Sequence, residues 1–126
     1  MAETGAIPFR KMNGLGNDFV VLDARSSALR LSDEQAKAIA DRKSGIGCDQ
    51  VIMLEPSKSA DVRMRIWNNE GFEVESCGNA SRCIADLLFA EKHAERVTID
   101  TKGGYLVCRR AGDGLVTVDN GVPKFD

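Results

Sequence analysis

The segment from Gly78 to about Lys92 constrains the fold more than any other part of the sequence. Few charges interrupt its middle, and small or apolar side chains occupy most of a helical circumference: Ala80, Cys83, Ile84, Ala85, Leu87, Leu88, Phe89 and Ala90. A helix that is apolar on so much of its surface is normally buried among other elements. We therefore expect this helix to be central to the domain.

Short apolar segments of strand length lie on both sides of this helix. They span about residues 9–12, 19–23, 51–54, 61–67, 97–100, 105–109 and 115–119. In the segment 61–67 apolar and charged residues alternate, which predicts a half-buried strand with Trp67 on its outer face, at the sheet edge. A capping box, Ser32-Asp33-Glu34-Gln35, predicts a second helix that continues to about Arg42.

Glycine-containing turns join the last three predicted strands, at residues 102–104 and 112–114. Such short connections favour antiparallel pairing. The chain of 126 residues is therefore predicted to form one α+β domain over residues 1–126, with its sheet either curled around the central helix or layered against it.

Composition excludes several functional classes. Seventeen basic and 19 acidic residues give a net charge of −2, so nucleic acid and anionic membrane surfaces are not expected partners. No apolar run approaches the roughly 20 residues of a membrane span. The first residues, MAETGAIPFRK, lack the pattern of a secretory signal. We therefore expect a cytoplasmic protein.

The four cysteines show no CxxC spacing, and His93 is the one histidine of the sequence. In the cytoplasm these cysteines should be reduced thiols. Their scattered positions do not match the ligand spacing of a zinc site, so no metal is expected. His93 lies at a charged helix end and is interpreted as a solvated residue.

Cys77 is the strongest candidate for chemistry because it immediately precedes the central helix. The free N–H groups and positive dipole end of a helix start favour a thiolate and lower the pKa of the thiol. The same N–H groups can bind a carboxylate, Gly78 permits close approach, and Asn79 offers both a donor and an acceptor. From position alone, however, a cysteine beside a helix start is more often a buried, inert residue. Cys48, Cys83 and Cys108 are assigned to packing or exposure and not to catalysis.

Three loops combine glycine with side-chain amides or carboxylates, at residues 14–19, 45–50 and 68–71. Each of them, taken singly, is an ordinary turn sequence. The first is not a dinucleotide fingerprint, because the third glycine and a following long helix are missing.

Together these segments resemble the diaminopimelate epimerases. The matching motifs are KMNGLGNDF at residues 11–19, GIGCDQ at 45–50, RIWNNEG with Glu73 at 65–73, and CGNASRC at 77–83. They occur in the order of that family and at nearly its spacing. The resemblance runs from about Phe9 to Phe125 and covers the first of the two similar halves that such enzymes have.

The resemblance implies a mixed, antiparallel-rich sheet curled around a central helix, as one half of a two-domain pseudo-symmetric fold. It implies interconversion of LL- and meso-diaminopimelate, in the lysine and peptidoglycan-precursor pathway, without pyridoxal phosphate, metal or any other cofactor. Two cysteines would face each other across the substrate α-carbon, and Cys77 matches the cysteine of the first half. The matching also assigns substrate binding to several residues: Asn17, Gln50, Asn68, Gly78 and Asn79.

Four features depart from the family pattern. Ala80 replaces a common glycine, Cys48 stands where an apolar residue is frequent, and Glu70 replaces a common aspartate. The second cysteine and the second set of substrate groups are absent from these 126 residues. We therefore expect that the chain alone does not epimerise, that its partner is the C-terminal half of the same enzyme, and that the exposed partner surface favours dimerisation or aggregation.

The sequence leaves two other hypotheses open. Proline racemases and phenazine-type isomerases share the architecture, although the racemases typically carry histidine at the position of Asn79 and the phenazine-type isomerases lack the cysteine. Alternatively, the chain is a non-catalytic binding domain that uses its amide loops as a ligand cradle.

Overall fold

The computed structural model describes residues 9–14, 16–26, 30–75, 78–110 and 116–120. Cys77, the proposed catalytic residue, lies outside the described residues. Within them, eight strands and two helices follow one another: β1 (Phe9–Gly14), β2 (Asn17–Asp23), α1 (Asp33–Ala40), β3 (Gln50–Glu55), β4 (Val62–Asn68), β5 (Glu73–Val74), α2 (Gly78–Lys92), β6 (Arg96–Thr101), β7 (Gly104–Arg110) and β8 (Val116–Asn120).

All eight strands belong to one mixed sheet. Its order is β1-β2-β3-β4-β6-β7-β8, and the short β5 pairs with β4 beside this path. The pairs β2–β3 and β4–β6 are parallel, whereas the remaining pairs are antiparallel. Parallel neighbours need a crossover connection, and α1 and α2 lie in the two crossovers.

Helix α2 packs on one face of the sheet and is the centre of the larger core. It contacts β1 at one edge of the sheet and β7 and β8 at the other edge. A single helix can reach both edges only if the sheet curls around it, as the sequence resemblance implied. The core beneath it includes Phe19, Ile52, Ile66, Ile84, Leu88 and Phe89, each at most 1% exposed.

Helix α1 covers the second face of the sheet over β2, β3 and β4. Its buried alanines, Ala36 and Ala40, pack in a second cluster with Cys48 and Trp67. The prediction that Trp67 lies on an outer face is therefore wrong: the side chain is 0% exposed, and its indole Nε1 donates to Asp33 Oδ1 at 2.9 Å. Alternation identifies residues that share a face, but it carries no information on what covers that face.

The capping box predicted at Ser32 is confirmed. Ser32 Oγ accepts from the backbone N–H of Gln35 at 3.1 Å, and Gln35 Oε1 accepts from the backbone N–H of Ser32 at 2.9 Å. The helix ends at Ala40, two residues earlier than predicted, because Asp41 adopts an extended conformation with ψ of 124°.

Two further local predictions are corrected. Residues 13–18, which lie between the predicted strands 9–12 and 19–23 and were expected to form a loop, are mostly strand, because β1 continues to Gly14 and β2 already begins at Asn17. The two-residue strand β5 was not predicted, since it is too short to show a periodicity. Cys48 and Cys108 are buried, and Cys83 packs half-buried against the larger core, so all three fit the packing roles predicted for them.

Candidate functional site

Three of the predicted ligand-binding amides meet at one end of the sheet. Asn17 begins β2, Gln50 begins the parallel strand β3, and Asn68 ends the antiparallel strand β4. Gln50 and Asn68 are direct cross-strand partners, and Gln50 also pairs with Phe19. Side chains two positions apart on a strand lie on the same face. These three amides therefore lie on the face that α2 covers, because the residue two positions from each amide, towards the middle of its strand, belongs to the larger core. Those core residues are Phe19, Ile52 and Ile66.

Helix α2 begins at the same end of the sheet and brings in a fourth amide. Asn79, in its first turn, donates from Nδ2 to Asn17 Oδ1 at 2.8 Å. This bond joins residues 62 positions apart in the sequence. The structure therefore brings Asn17, Gln50, Asn68 and Asn79 to one place, beside the N-terminus of α2 that Gly78 begins.

Asn68 holds the tight turn between β4 and β5. Its Oδ1 accepts from the backbone N–H groups of Glu70 and Phe72, both at 3.0 Å, and its own N–H donates to Phe72 O at 2.8 Å. Gly71 lies in this turn with φ of +90°, a conformation that favours glycine. The acceptor of the Asn68 side chain is thus used within the protein, and its amide donors are the groups suited to a ligand.

In Gln50, unlike in Asn68, the available group is the hydrogen-bond acceptor. Its Oε1 is a buried oxygen that has no hydrogen-bond partner among the described residues. Buried polar atoms in folded proteins are nearly always hydrogen-bonded. An unpaired acceptor at this end of the sheet is therefore suited to a donor on a ligand. Gln50 supplies an acceptor and Asn68 supplies donors, a combination that fits a small molecule carrying both ammonium and carboxylate groups.

On the opposite face of the same sheet end, four charged residues form what we call the charged clasp: Lys11, Asp18, Arg42 and Asp49. Arg42 and Lys11 both donate to Asp18, and they hold the pKa of its carboxyl far below the usual range. A polar cavity of about 440 Å³ lies beside the clasp and is lined by Asn13, Gly16, Asn17, Asp18, Arg42 and Asp49.

Three clasp residues, Lys11, Asp18 and Asp49, lie in the motifs of the sequence, whereas Arg42 was predicted only as the approximate end of a helix; no role was predicted for any of the four. A usable signal was present, because Asp18 directly follows Asn17 and Asp49 directly precedes Gln50. In a strand, such neighbours point to opposite faces, so a carboxylate beside each amide indicates a second polar layer behind the site.

The described cysteines differ in their relation to this end of the sheet. Cys83, one turn after Asn79 on α2, directs its Sγ to Asn13 O at 3.7 Å. Cys48 is fully buried, and this burial raises the pKa of its thiol. A buried thiol with a raised pKa is a poor base, which agrees with the packing role predicted for Cys48.

Two absences hold for the part of the chain that the structure describes. No cluster of three or more His, Cys, Asp or Glu side chains in these ranges could hold a metal ion. Neither of the two described helices combines the length and the apolar character needed to cross a bilayer.

Comparison with known sequences identifies the family. The family model described as diaminopimelate epimerase matches residues 9–125. The diaminopimelate epimerase of Erythrobacter litoralis is 54% identical over 121 residues, which cover 95% of this chain and 43% of that protein. The diaminopimelate epimerase of Phenylobacterium zucineum is 49% identical over 119 residues, covering 94% and 43%. The chain thus spans less than half the length of these curated relatives.

Solved structures agree with the fold. A hydroxyproline epimerase from Agrobacterium vitis superposes with a TM-score of 0.60 at 15% identity, covering 87% of this chain and 40% of that one. A phenazine biosynthesis protein of the PhzF family from Bacillus anthracis gives a TM-score of 0.59 at 22% identity, covering 89% and 38%. At such low identity these likenesses support the architecture alone, as one half of a larger pseudo-symmetric fold. With the match over residues 9–125, the sequence relatives establish that this chain belongs to the diaminopimelate epimerase family.

Proposed function

We propose that this chain is the N-terminal half of a diaminopimelate epimerase and supplies one of its two catalytic cysteines, Cys77. The observation that carries the proposal is the convergence of four amide side chains at the start of α2, where Gly78 directly follows Cys77 in the sequence. Family membership supports the choice of diaminopimelate as substrate, since the relatives bear that name.

The proposed reaction is a two-base proton transfer. A thiolate on one cysteine takes the substrate α-proton, so that the C–H bond breaks, an S–H bond forms, and the electron pair stays on the α-carbon. The second cysteine, from the other half of the enzyme, gives its S–H proton to the opposite face of that carbon. The configuration is thereby inverted, and no oxidant, metal or cofactor is consumed.

The residues of this half make the proton acidic enough to be removed. Free N–H groups at the start of α2, from Gly78 and Asn79 onward, bind the substrate carboxylate and stabilise the negative charge that develops beside it. The Asn68 amide donors and the Gln50 acceptor orient the remaining polar groups of the substrate. An unperturbed thiol pKa of about 8.5 lies close to the working pH, so cysteine can act as either base or acid.

Partners and location follow from the same proposal. The partner needed for turnover is a C-terminal half that carries the second cysteine, and a homodimer is compatible with the exposed apolar side chains Ile46 and Phe72. We propose a cytoplasmic location, which fits Cys48, Cys83 and Cys108 being thiols.

The test is deuterium exchange at the α-carbon of LL-diaminopimelate in D2O, followed by mass spectrometry and chiral separation. The chain alone is expected to be inactive, whereas its fusion to the remainder of the Phenylobacterium zucineum enzyme should incorporate deuterium and form the meso isomer. Cys77→Ala should lower the rate at least about 100-fold, the usual minimum effect of removing a general base.

Cys48→Ala is the matched control, because it removes a buried thiol from the same half, and it should retain activity. Three results would overturn the proposal: a folded fusion that turns over proline but not diaminopimelate, a fusion that binds diaminopimelate without exchange, and a Cys77→Ala variant with full activity.

A further inference from the structure

The charged clasp joins three separate segments of the chain behind the site. Lys11 comes from β1, Asp18 from β2, and both Arg42 and Asp49 from the connection between α1 and β3. Arg42 donates to both oxygens of Asp18 at 3.0 and 3.1 Å and to Asp49 Oδ1 at 3.2 Å. Lys11 Nζ lies 3.1 Å from Asp18 Oδ2 and also donates to the backbone carbonyl of Gly47.

At its centre, Asp18 and Asp49 bind each other's backbone. The N–H of Asp18 donates to Asp49 Oδ2 at 3.0 Å, and the N–H of Asp49 donates to Asp18 Oδ1 at 2.8 Å. The N–H of Asp49 also lies 3.0 Å from the carbonyl oxygen of Asp18. Two carboxylates this close would repel each other, and the two cations offset that repulsion. The reciprocal bonds fix the start of β2 against the start of β3.

Each carboxylate is one residue away from an amide of the proposed site. Asn17 precedes Asp18, and Gln50 follows Asp49. Because side chains alternate along a strand, the amides share the α2 face with the core residues two positions on, and the carboxylates share the other face with theirs. Any shift of the clasp backbone therefore moves both amides directly. The buried Oε1 of Gln50 has no hydrogen-bond partner among the described residues, so no hydrogen bond to this atom from the described residues opposes such a shift.

We infer that Asp18 and Asp49 are positioning residues, whose reciprocal carboxylate–backbone bonds set the separation of Asn17 and Gln50 and thereby the binding of the substrate between them. For its link to catalysis this inference rests on the proposed function. The ion pairs themselves contribute little to stability, because Arg42 is 56% exposed and exposed ion pairs are screened by solvent. The reciprocal bonds to backbone N–H groups, in contrast, determine geometry.

The first experiment needs no substrate. In the purified 126-residue chain, the side-chain amide NMR resonances of Asn17, Gln50 and Asn79 report the geometry of the site. Asp49→Ala should shift all three, and Asp49→Asn, which keeps an acceptor for the Asp18 N–H, should largely restore them. Asp23→Ala is the matched control: it removes a paired carboxylate from the far end of β2, next to Arg25, and should leave the three resonances unchanged.

The second experiment uses the fusion described above. Asp49→Ala and Asp18→Ala should raise KM for diaminopimelate about tenfold or more with a smaller change in kcat, while Asp23→Ala changes neither. If Asp49→Ala fails to fold, the amide resonances and the KM of Asp18→Ala decide instead. Unchanged amide resonances together with an unchanged KM would overturn the positioning role. An inactive parent fusion with shifted resonances would instead count against the proposed function and leave the geometric role intact.

Discussion

At the scale of single residues, the site is built from amides whose two ends do different work. Asn68 uses its carbonyl oxygen to hold a turn, and Asn17 uses its carbonyl oxygen to accept from Asn79. The motifs in the sequence identified these amides as a set. They could not show which end of each amide is already engaged, because the partners of Asn17 and Asn79 are set by tertiary contact. Because the two ends of an amide have different roles, substitutions can test the structural role and the ligand-binding role separately.

Asn68 allows the turn and the ligand function to be separated. Asn68→Ala removes the acceptor for two backbone N–H groups and should lower the free energy of unfolding by about 1–2 kcal/mol. Asn68→Asp keeps that acceptor and should retain most of the stability, but it places a negative charge in the site and should raise KM in the fusion. Urea unfolding measures the first effect, with Asn69→Ala as the control at the exposed neighbouring position. Equal stability of the Ala and Asp variants would contradict this account.

At the scale of elements, the sequence predicted the structures that depend on residues close together in the chain and missed those that depend on tertiary contacts. The capping box at Ser32 and the apolar character of α2 predicted both helices, because capping and helical periodicity depend on residues a few positions apart. Trp67 was misplaced because α1, more than 25 positions earlier in the chain, covers its face of β4. Strand β5 was not predicted because it has only two residues and is recognised as a strand only by its pairing with β4.

The capping box should contribute measurably to the stability of α1. Ser32→Ala removes the acceptor for the Gln35 N–H and should cost about 1 kcal/mol. Thermal unfolding followed by circular dichroism measures the change. Ser59→Ala is a suitable control, because Ser59 is exposed and its described hydrogen bond uses only the backbone. A Ser32→Ala variant as stable as Ser59→Ala would show that the box does not support the helix.

The contact between β1 and α2 can be tested by a double-mutant cycle. A Cβ at Gly14 would lie 2.7 Å from Cys83 Sγ, closer than real contacts allow. Gly14→Ala should therefore destabilise the protein by about 1–3 kcal/mol, the usual cost of overpacking. In a Cys83→Ala background the same substitution should cost distinctly less, since the opposing sulfur is gone. Strictly additive effects of the two substitutions in urea unfolding would contradict the contact.

At the scale of the whole molecule, the curled sheet gathers the ends of three strands and the start of α2 at one place. The mixed sheet and the central helix were predicted, and so was the set of amides. The charged clasp was not, because its four members are spread from residue 11 to residue 49 and meet through the antiparallel pairing of β1 with β2 and the parallel pairing of β2 with β3. Local sequence patterns predict only that Asp18 and Asp49 lie in turns. In the folded chain their carboxylates bind each other's backbone N–H groups and so link β2 to β3.

The ion pairs that join distant segments make the whole fold sensitive to acid. Arginine partners lower the pKa values of four carboxyls: Arg42 that of Asp18, Arg25 those of Asp23 and Glu91, and Arg65 that of Glu73. A lowered folded-state pKa stabilises the fold above the unfolded value, which is about 4, and this stabilisation is lost as the pH falls through the folded value. The melting temperature should therefore be nearly constant from pH 7 to 5 and should decline progressively below about pH 4.

The variant Arg25→Met tests the cause of that decline. Arg25 binds both Asp23 and Glu91, so its loss should lower the melting temperature at pH 7, and the difference from the parent protein should shrink towards pH 2.5 as those carboxyls become protonated in both proteins. Arg30→Met, which removes a charge from an exposed arginine, should instead give a curve parallel to that of the parent. A constant offset for Arg25→Met at every pH would mean that the arginine stabilises the fold by packing its stem and not by pairing with carboxylates.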